Sequence, residues 1–233
     1  PSPPPPSPPP SLPPSWGLDR IDQLRLPLDG RFAINNLGAG VEVFIADTGV
    51  RATHDDFENG GPRTRPLLDF TGEGTTPDDG NGHGTHCAGT AVGGIHGVAR
   101  EAFVTGLKVL TSSGSGLISA IIAGVDYVTN LKRNSPTTPM VLSMSLGGGR
   151  STSINAAIER ATDAGVVVVV AADNERGDAC NYSPASAPSA ITVGSTTSSD
   201  QISWFSNTGP CVDIYAPGSG IVSASHTSDS GTA

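Results

Sequence analysis

Three short motifs carry side chains able to take up a proton and stabilise a negative charge. Asp47 ends the apolar run VEVFIAD (41–47), just before the turn Thr48-Gly49. A carboxylate at the end of a buried strand is placed to accept a hydrogen bond from an imidazole and to stabilise its protonated form. Taken alone, DTG also reads as an Asx turn or a helix cap. His83 lies in Asn81-Gly82-His83-Gly84-Thr85-His86-Cys87-Ala88-Gly89, at the start of a helix-like stretch, flanked by glycines that allow close backbone approach. A lone histidine there is as readily structural; two histidines three apart also raise a metal, but the HExxH pattern is absent. Asn174 follows VVVVVAAD. Its amide can donate toward a developing oxyanion, a contact whose loss costs ~10²–10³ in rate, or it can simply make a turn.

The elements that must position these groups alternate between strand and helix. VEVFIAD (41–47), FVTGLKVL (103–110), PMVLSMSL (139–146), GVVVVVAA (165–172) and SAITVGS (189–195) are short, β-branched and apolar on both faces. Such runs belong to a parallel sheet covered on both sides. Between them lie HGTHCAGTAVGG from His83, SGLISAIIAGVDYVTNLKR to Arg133, and STSINAAIERATDAG, which opens on a Ser/Thr cap and closes on Gly165. The expected fold is α/β, a doubly wound, mostly parallel sheet with helices on both faces, in which chemistry gathers beyond the carboxyl ends of the strands.

Composition narrows the class. The chain has 233 residues, a net charge of -9 and only 15% charged residues. An acidic chain without basic clusters is a poor nucleic-acid binder, and no apolar run reaches the ~18–20 residues of a membrane span. Ten of the 20 prolines fall in residues 1–14, PSPPPPSPPPSLPP, which reads as a polyproline II linker. The SPPPP repeat also resembles hydroxyproline-rich cell-wall glycoproteins, so a structural wall protein is one alternative. His54, His86, His96 and His226 read as structural or surface residues.

Together, Asp…HGTHCAGT…AAxN, on those elements and in that order, resembles the subtilisin-like serine proteases. WGLDRIDQ, DTG, GNGHGTHCAGT, SMSLGGG, NYSPASAPSAITVG, FSN and CVDIYAPG are similar to the proteinase K branch, in particular its secreted, aqualysin-like members. The resemblance covers nearly all of residues 15–233. It implies an endopeptidase acting on proteins or peptides through an acyl-enzyme, secreted and monomeric. Asp47 would orient His83, His83 would act as general base and then acid, and Asn174 would complete the oxyanion hole. Gly114-Ser115-Gly116 and Ser145-Leu146-Gly147 would hold an extended substrate between them by main-chain hydrogen bonds.

The resemblance breaks at the nucleophile. The family places its serine in GTSMA, whereas the sequence given ends Asp229-Ser230-Gly231-Thr232-Ala233. Either alanine replaces the serine, which would leave an inactive, peptide-binding pseudoprotease, or residues 15–233 are a peptidase domain that stops before that motif, with the C-terminal part of the fold missing. Asp173 stands where relatives mostly have Gly, beside the pocket for the residue preceding the scissile bond; it would favour Lys or Arg there, or narrow the pocket. The resemblance further implies a Cys180–Cys211 disulfide, with Cys87 a buried free thiol. Asp19, Asp22, Gln23 and Asp29 are hard oxygen ligands that read as an acidic surface by composition. By resemblance they form a structural Ca²⁺ site, and a second is implied at the carbonyls of Pro188 and Ala190 with the carboxylate of Asp213.

Overall fold

The apolar runs become strands of one sheet in the computed structural model, which describes residues 15–58, 60–74 and 78–233; the Pro-rich run 1–14 lies outside them. In chain order the strands are β1 (Glu42–Asp47), β2 (Leu68–Asp69), β3 (Phe103–Lys108), β4 (Met140–Met144), β5 (Gly148–Gly149), β6 (Val167–Ala171), β7 (Tyr182–Ser183), β8 (Ile191–Thr196) and β9 (Ile214–Pro217). Seven of them form the sheet β2-β3-β1-β4-β6-β8-β9, parallel at every pairing, while β5 and β7 make a small antiparallel pair. The helices are α1 (Trp16–Ile21), α2 (His83–Val92), α3 (Ile118–Asn134) and α4 (Thr152–Asp163).

Strand β1 is apolar on both faces because both faces are covered. Val43 and Ile45 join Val50, Phe57, Ala88, Val92 and Val104 on the α2 side, whereas Phe44 and Ala46 enter the larger core of Leu107, Val125, Leu142 and Ile158 beneath α3 and α4. The expectation of full coverage fails toward the other edge. Val168 and Val170 are buried, but Val167, Ile191 and Ile214 at the starts of β6, β8 and β9 are 48%, 43% and 55% exposed. The physical reason is that, of the strands, α2 packs mainly against β1 and β3, away from that part of the sheet.

Local signals explain the helices. In α3 the buried residues Ala120, Ile121, Gly124, Val125, Val128 and Thr129 form one stripe at helical spacing. Helix α4 starts where the Ser151 hydroxyl accepts the Ile154 N–H at 3.3 Å, and Gly165 follows its end at φ +95°, a conformation that favours glycine.

Candidate active site

Parallel pairing in register brings the C-terminal ends of β1 and β3 together, Asp47 opposite Lys108. Asp47 is completely buried and His83 is the first residue of α2. The imidazole Nδ1 lies 2.8 and 2.9 Å from the two Asp47 oxygens. An ionised carboxylate only accepts, so Nδ1 carries a proton, and Nε2 is the nitrogen that holds the lone pair whenever the ring is neutral. The Thr48 N–H donates to the same carboxylate at 2.7 Å, which fixes it from the backbone side. The hydrogen bond from Asp47 pushes His83 above its ordinary value, and Cys87 adds to the shift. Glycine is required next door: a Cβ on Gly84 would overlap the Gly49 carbonyl.

Sequence reading missed the groups that hold this pair. Asp79, four residues before His83 and buried, accepts from Gly82 N–H (2.8 Å), Thr85 N–H (2.8 Å), the Thr85 hydroxyl (2.7 Å), Asn81 N–H (3.0 Å) and the Thr48 hydroxyl (2.8 Å). It thus anchors the first turn of α2 and the residue after Asp47 at once. Burial alone would raise its carboxyl, but these donors outweigh it and hold Asp79 below the usual carboxylate range. The available signal was an acidic residue just ahead of a helix start. Lys108, also fully buried, donates to the carbonyls of Thr48 (2.9 Å) and Leu110 (3.2 Å) and pairs with Glu73 at 3.2 Å. Glu73 in turn accepts from the Ser112 N–H and hydroxyl. Burial works against its charge, yet Ser112 and Lys108 together lower it.

Two cavities meet over His83. One, of about 580 Å³, is lined by Gly114, Ser115 and Gly116 on one side and Ser145, Leu146 and Gly147 on the other, so both substrate segments expected from sequence face the same space. The second contains Asn174, exposed just beyond β6, together with His83, Ala172 and Phe205. The structure therefore joins Asp47 and His83 by direct contact and sets Asn174 on a cavity wall that His83 shares. His54, His86 and His96 serve the scaffold, bonding respectively to Gly231 O (2.8 Å), Ile221 O (3.0 Å) and Asp56 (2.9 Å).

Cys180 and Cys211 form a disulfide with Cα atoms 5.3 Å apart. Cys87 is the one free cysteine, and it is half-buried rather than buried. It lies four residues after His83, one helical turn on, and so shares the face of α2 that looks into the cleft, Sγ 4.0 Å from Nδ1.

Asp19 accepts from Asp29 N–H (3.2 Å) and Gly30 N–H (2.8 Å), Asp22 from Ala33 N–H (2.6 Å), and Asp29 from Arg31 N–H (3.0 Å). Gln23 donates to the carbonyls of Arg25 and Pro27. These groups tie down the loop after α1. Among the described residues the only three acidic, His or Cys side chains whose ligand atoms converge are Asp47, His83 and Cys87. Asp213 accepts from Thr192 N–H at 2.8 Å, which brings its carboxylate beside the segment carrying the Pro188 and Ala190 carbonyls. One carboxylate and two carbonyls there are a hard-oxygen set of the kind calcium takes.

Comparison with known proteins gives a consistent picture. A family model described as "Subtilase family" matches residues 38–233. The "Extracellular serine proteinase" of Thermus sp. (strain Rt41A) is 48% identical over 218 residues, which is 94% of this chain and 52% of that protein. "Alkaline serine exoprotease A" of Vibrio alginolyticus is 48% identical over 209 residues, 90% of this chain and 38% of that protein. A cuticle-degrading serine protease of Arthrobotrys oligospora is 44% identical over 220 residues, 94% of this chain and 53% of that protein. The chain thus spans about half the length of these relatives or less. A crystal structure of a cold-adapted subtilisin-like serine proteinase superimposes with a TM-score of 0.86 at 47% identity, covering 95% of this chain and 78% of the other.

Proposed function

The chain belongs to the subtilase family, and from that premise we propose that it forms the substrate cleft and the acid–base half of the active site of a secreted endopeptidase that hydrolyses proteins through an acyl-enzyme. The observation that carries this reading is the contact between buried Asp47 and His83 at the floor of a cleft bordered by Gly114–Gly116 and Ser145–Gly147. His83 Nε2 takes the proton of the attacking hydroxyl, Asp47 stabilises the imidazolium, and the proton then passes to the leaving amine. The Asn174 amide donates to the oxyanion. The attacking hydroxyl would be that of a serine. Secretion is supported by the disulfide and by a relative named as extracellular. Among the described residues no helix is long and apolar enough to cross a membrane.

The test is made on the complete protein, with a fluorophosphonate probe that labels activated serines and a casein hydrolysis assay. Labelling that His83→Ala abolishes is expected. A protein that binds peptides but is neither labelled nor active would make this a pseudoprotease and overturn the reading.

Subtilases commonly bind calcium as a structural ion. We propose one at Asp213 with the carbonyls of Pro188 and Ala190. Chelation should then lower the melting temperature by several degrees, since an ion at ~100 times its Kd contributes about 2.7 kcal/mol. Differential scanning calorimetry with and without EGTA checks this, and Asp213→Ala should remove the difference.

A further inference from the structure

We infer that the Asp173 carboxylate sets the specificity of the cleft by pairing with a cationic side chain, Lys or Arg, on the substrate residue whose carbonyl is attacked. The inference rests on the peptidase reading above and adds which side chain that site accepts.

Five observations converge on this residue. Only His83, Ser145 and Asp173 line both cavities of the cleft, so Asp173 stands where the two meet. It is the residue immediately before Asn174, and a carbonyl held by the Asn174 amide delivers the adjoining substrate side chain next to it. Its Oδ1 accepts the Asn174 N–H at 3.1 Å, but its Oδ2 is shielded from solvent and has no hydrogen-bond partner among the described residues. That oxygen lies against Gly147, where a Cβ would overlap it, so the carboxylate packs beside the Ser145–Gly147 substrate segment. Finally, Asp173 sits at φ +77°, a left-handed conformation uncommon for residues with a side chain and taken mostly by Asn and Asp among them.

The local charge balance asks for a cation. Burial and then the charge of Glu175 push the Asp173 carboxyl up, against the pull of the Asn174 N–H. Among the described residues no ion pair involves Asp173 or Glu175, and the nearby Arg176 stacks on Trp204 instead. A half-buried carboxylate with one shielded oxygen and no countercharge is unfavourable, and a substrate ammonium or guanidinium would supply that countercharge. The walls suit the stem of such a side chain, since Val169, Ala171 and Val193 line the same cavity.

The complete protein is assayed with peptide anilides carrying Lys, Arg, norleucine, Phe or Ala before the scissile bond. Norleucine has the length of the lysine stem without the charge. We expect kcat/KM for Lys or Arg about 10-fold or more above norleucine, a ratio that falls as salt is added and collapses to about one in Asp173→Asn. Asn tolerates a positive φ, so that variant should fold. A Lys-to-norleucine ratio near one in the parent, or a ratio kept in Asp173→Asn, overturns the inference, as does a preference for Ala with Asp173→Gly admitting Phe, which would mean the carboxylate only narrows the pocket. Calorimetric binding of benzamidine, an aryl amidinium, reads the same charge without turnover. Benzamidine binding lost in Asp173→Asn from a protein that cleaves nothing would leave the cation site standing while the peptidase reading fell.

Discussion

At the scale of single residues, the chemistry depends on where one proton resides. Asp47 is wholly buried, and its carboxylate keeps the Nδ1 proton of His83 in place and the imidazolium favourable. In the proposed role of general base His83 must be neutral to act, so activity should be lost as pH falls through its value. Because Asp47 raises that value, the acid limb of kcat/KM for the complete protein should lie above the ~6.5 of an ordinary histidine. The linkage to stability has the same origin. The pair contributes fully below ~6.5 and its contribution is lost as pH rises through the raised value. Asp47→Asn should move the acid limb back down and cut kcat by a factor on the order of 10⁴, as expected when the imidazole loses the partner that fixes its tautomer. A pH–rate profile of the two proteins measures both effects. The three motif residues were legible from sequence because each ends or begins an element at a recognisable signal. Cys87 was misjudged as buried, because the motif alone does not say which face of α2 the core covers.

At the scale of elements, the site is held by groups that lie on no motif. The five donors that converge on Asp79 join a loop, the β1 end and the first turn of α2. Asp79→Asn puts an NH2 group where N–H and O–H donors already point. A loss of about 2–3 kcal/mol in urea unfolding is expected, from leaving buried charged-group hydrogen bonds unmade. The Lys108–Glu73–Ser112 relay steadies the turn that leads into Gly114–Gly116. Glu73→Gln weakens that relay without touching Asp47 or His83, so KM for a long peptide should rise several-fold while kcat changes little; steady-state kinetics on the complete protein separates the two. Strands and helices were readable here because apolar runs and helical stripes are local patterns. Asp79, Lys108 and Glu73 were not, since their partners are chosen by the tertiary fold, and a charged residue in a loop reads as solvated until its neighbours are known.

At the scale of the whole molecule, the disulfide and the chain crossings decide how the edge of the sheet is held. Cys180–Cys211 closes a loop of sequence separation 31 around β8. Replacing both cysteines with alanine should cost about 3–4 kcal/mol on the loop-entropy account, a fall in melting temperature of roughly 6–16 °C for a domain of this size, measured by calorimetry. The same edge is stitched to the other end of the chain. Trp16 of α1 donates its indole N–H to the carbonyls of Ser219 and Gly220, and Arg20 reaches Asp200 at 2.6 Å, so that α1 lies against β9. A ribosome delivers residue 16 some two hundred residues before residue 219. During that interval the β9 edge that α1 docks on has not been made, so this part of the nascent domain cannot close until β9 leaves the exit tunnel.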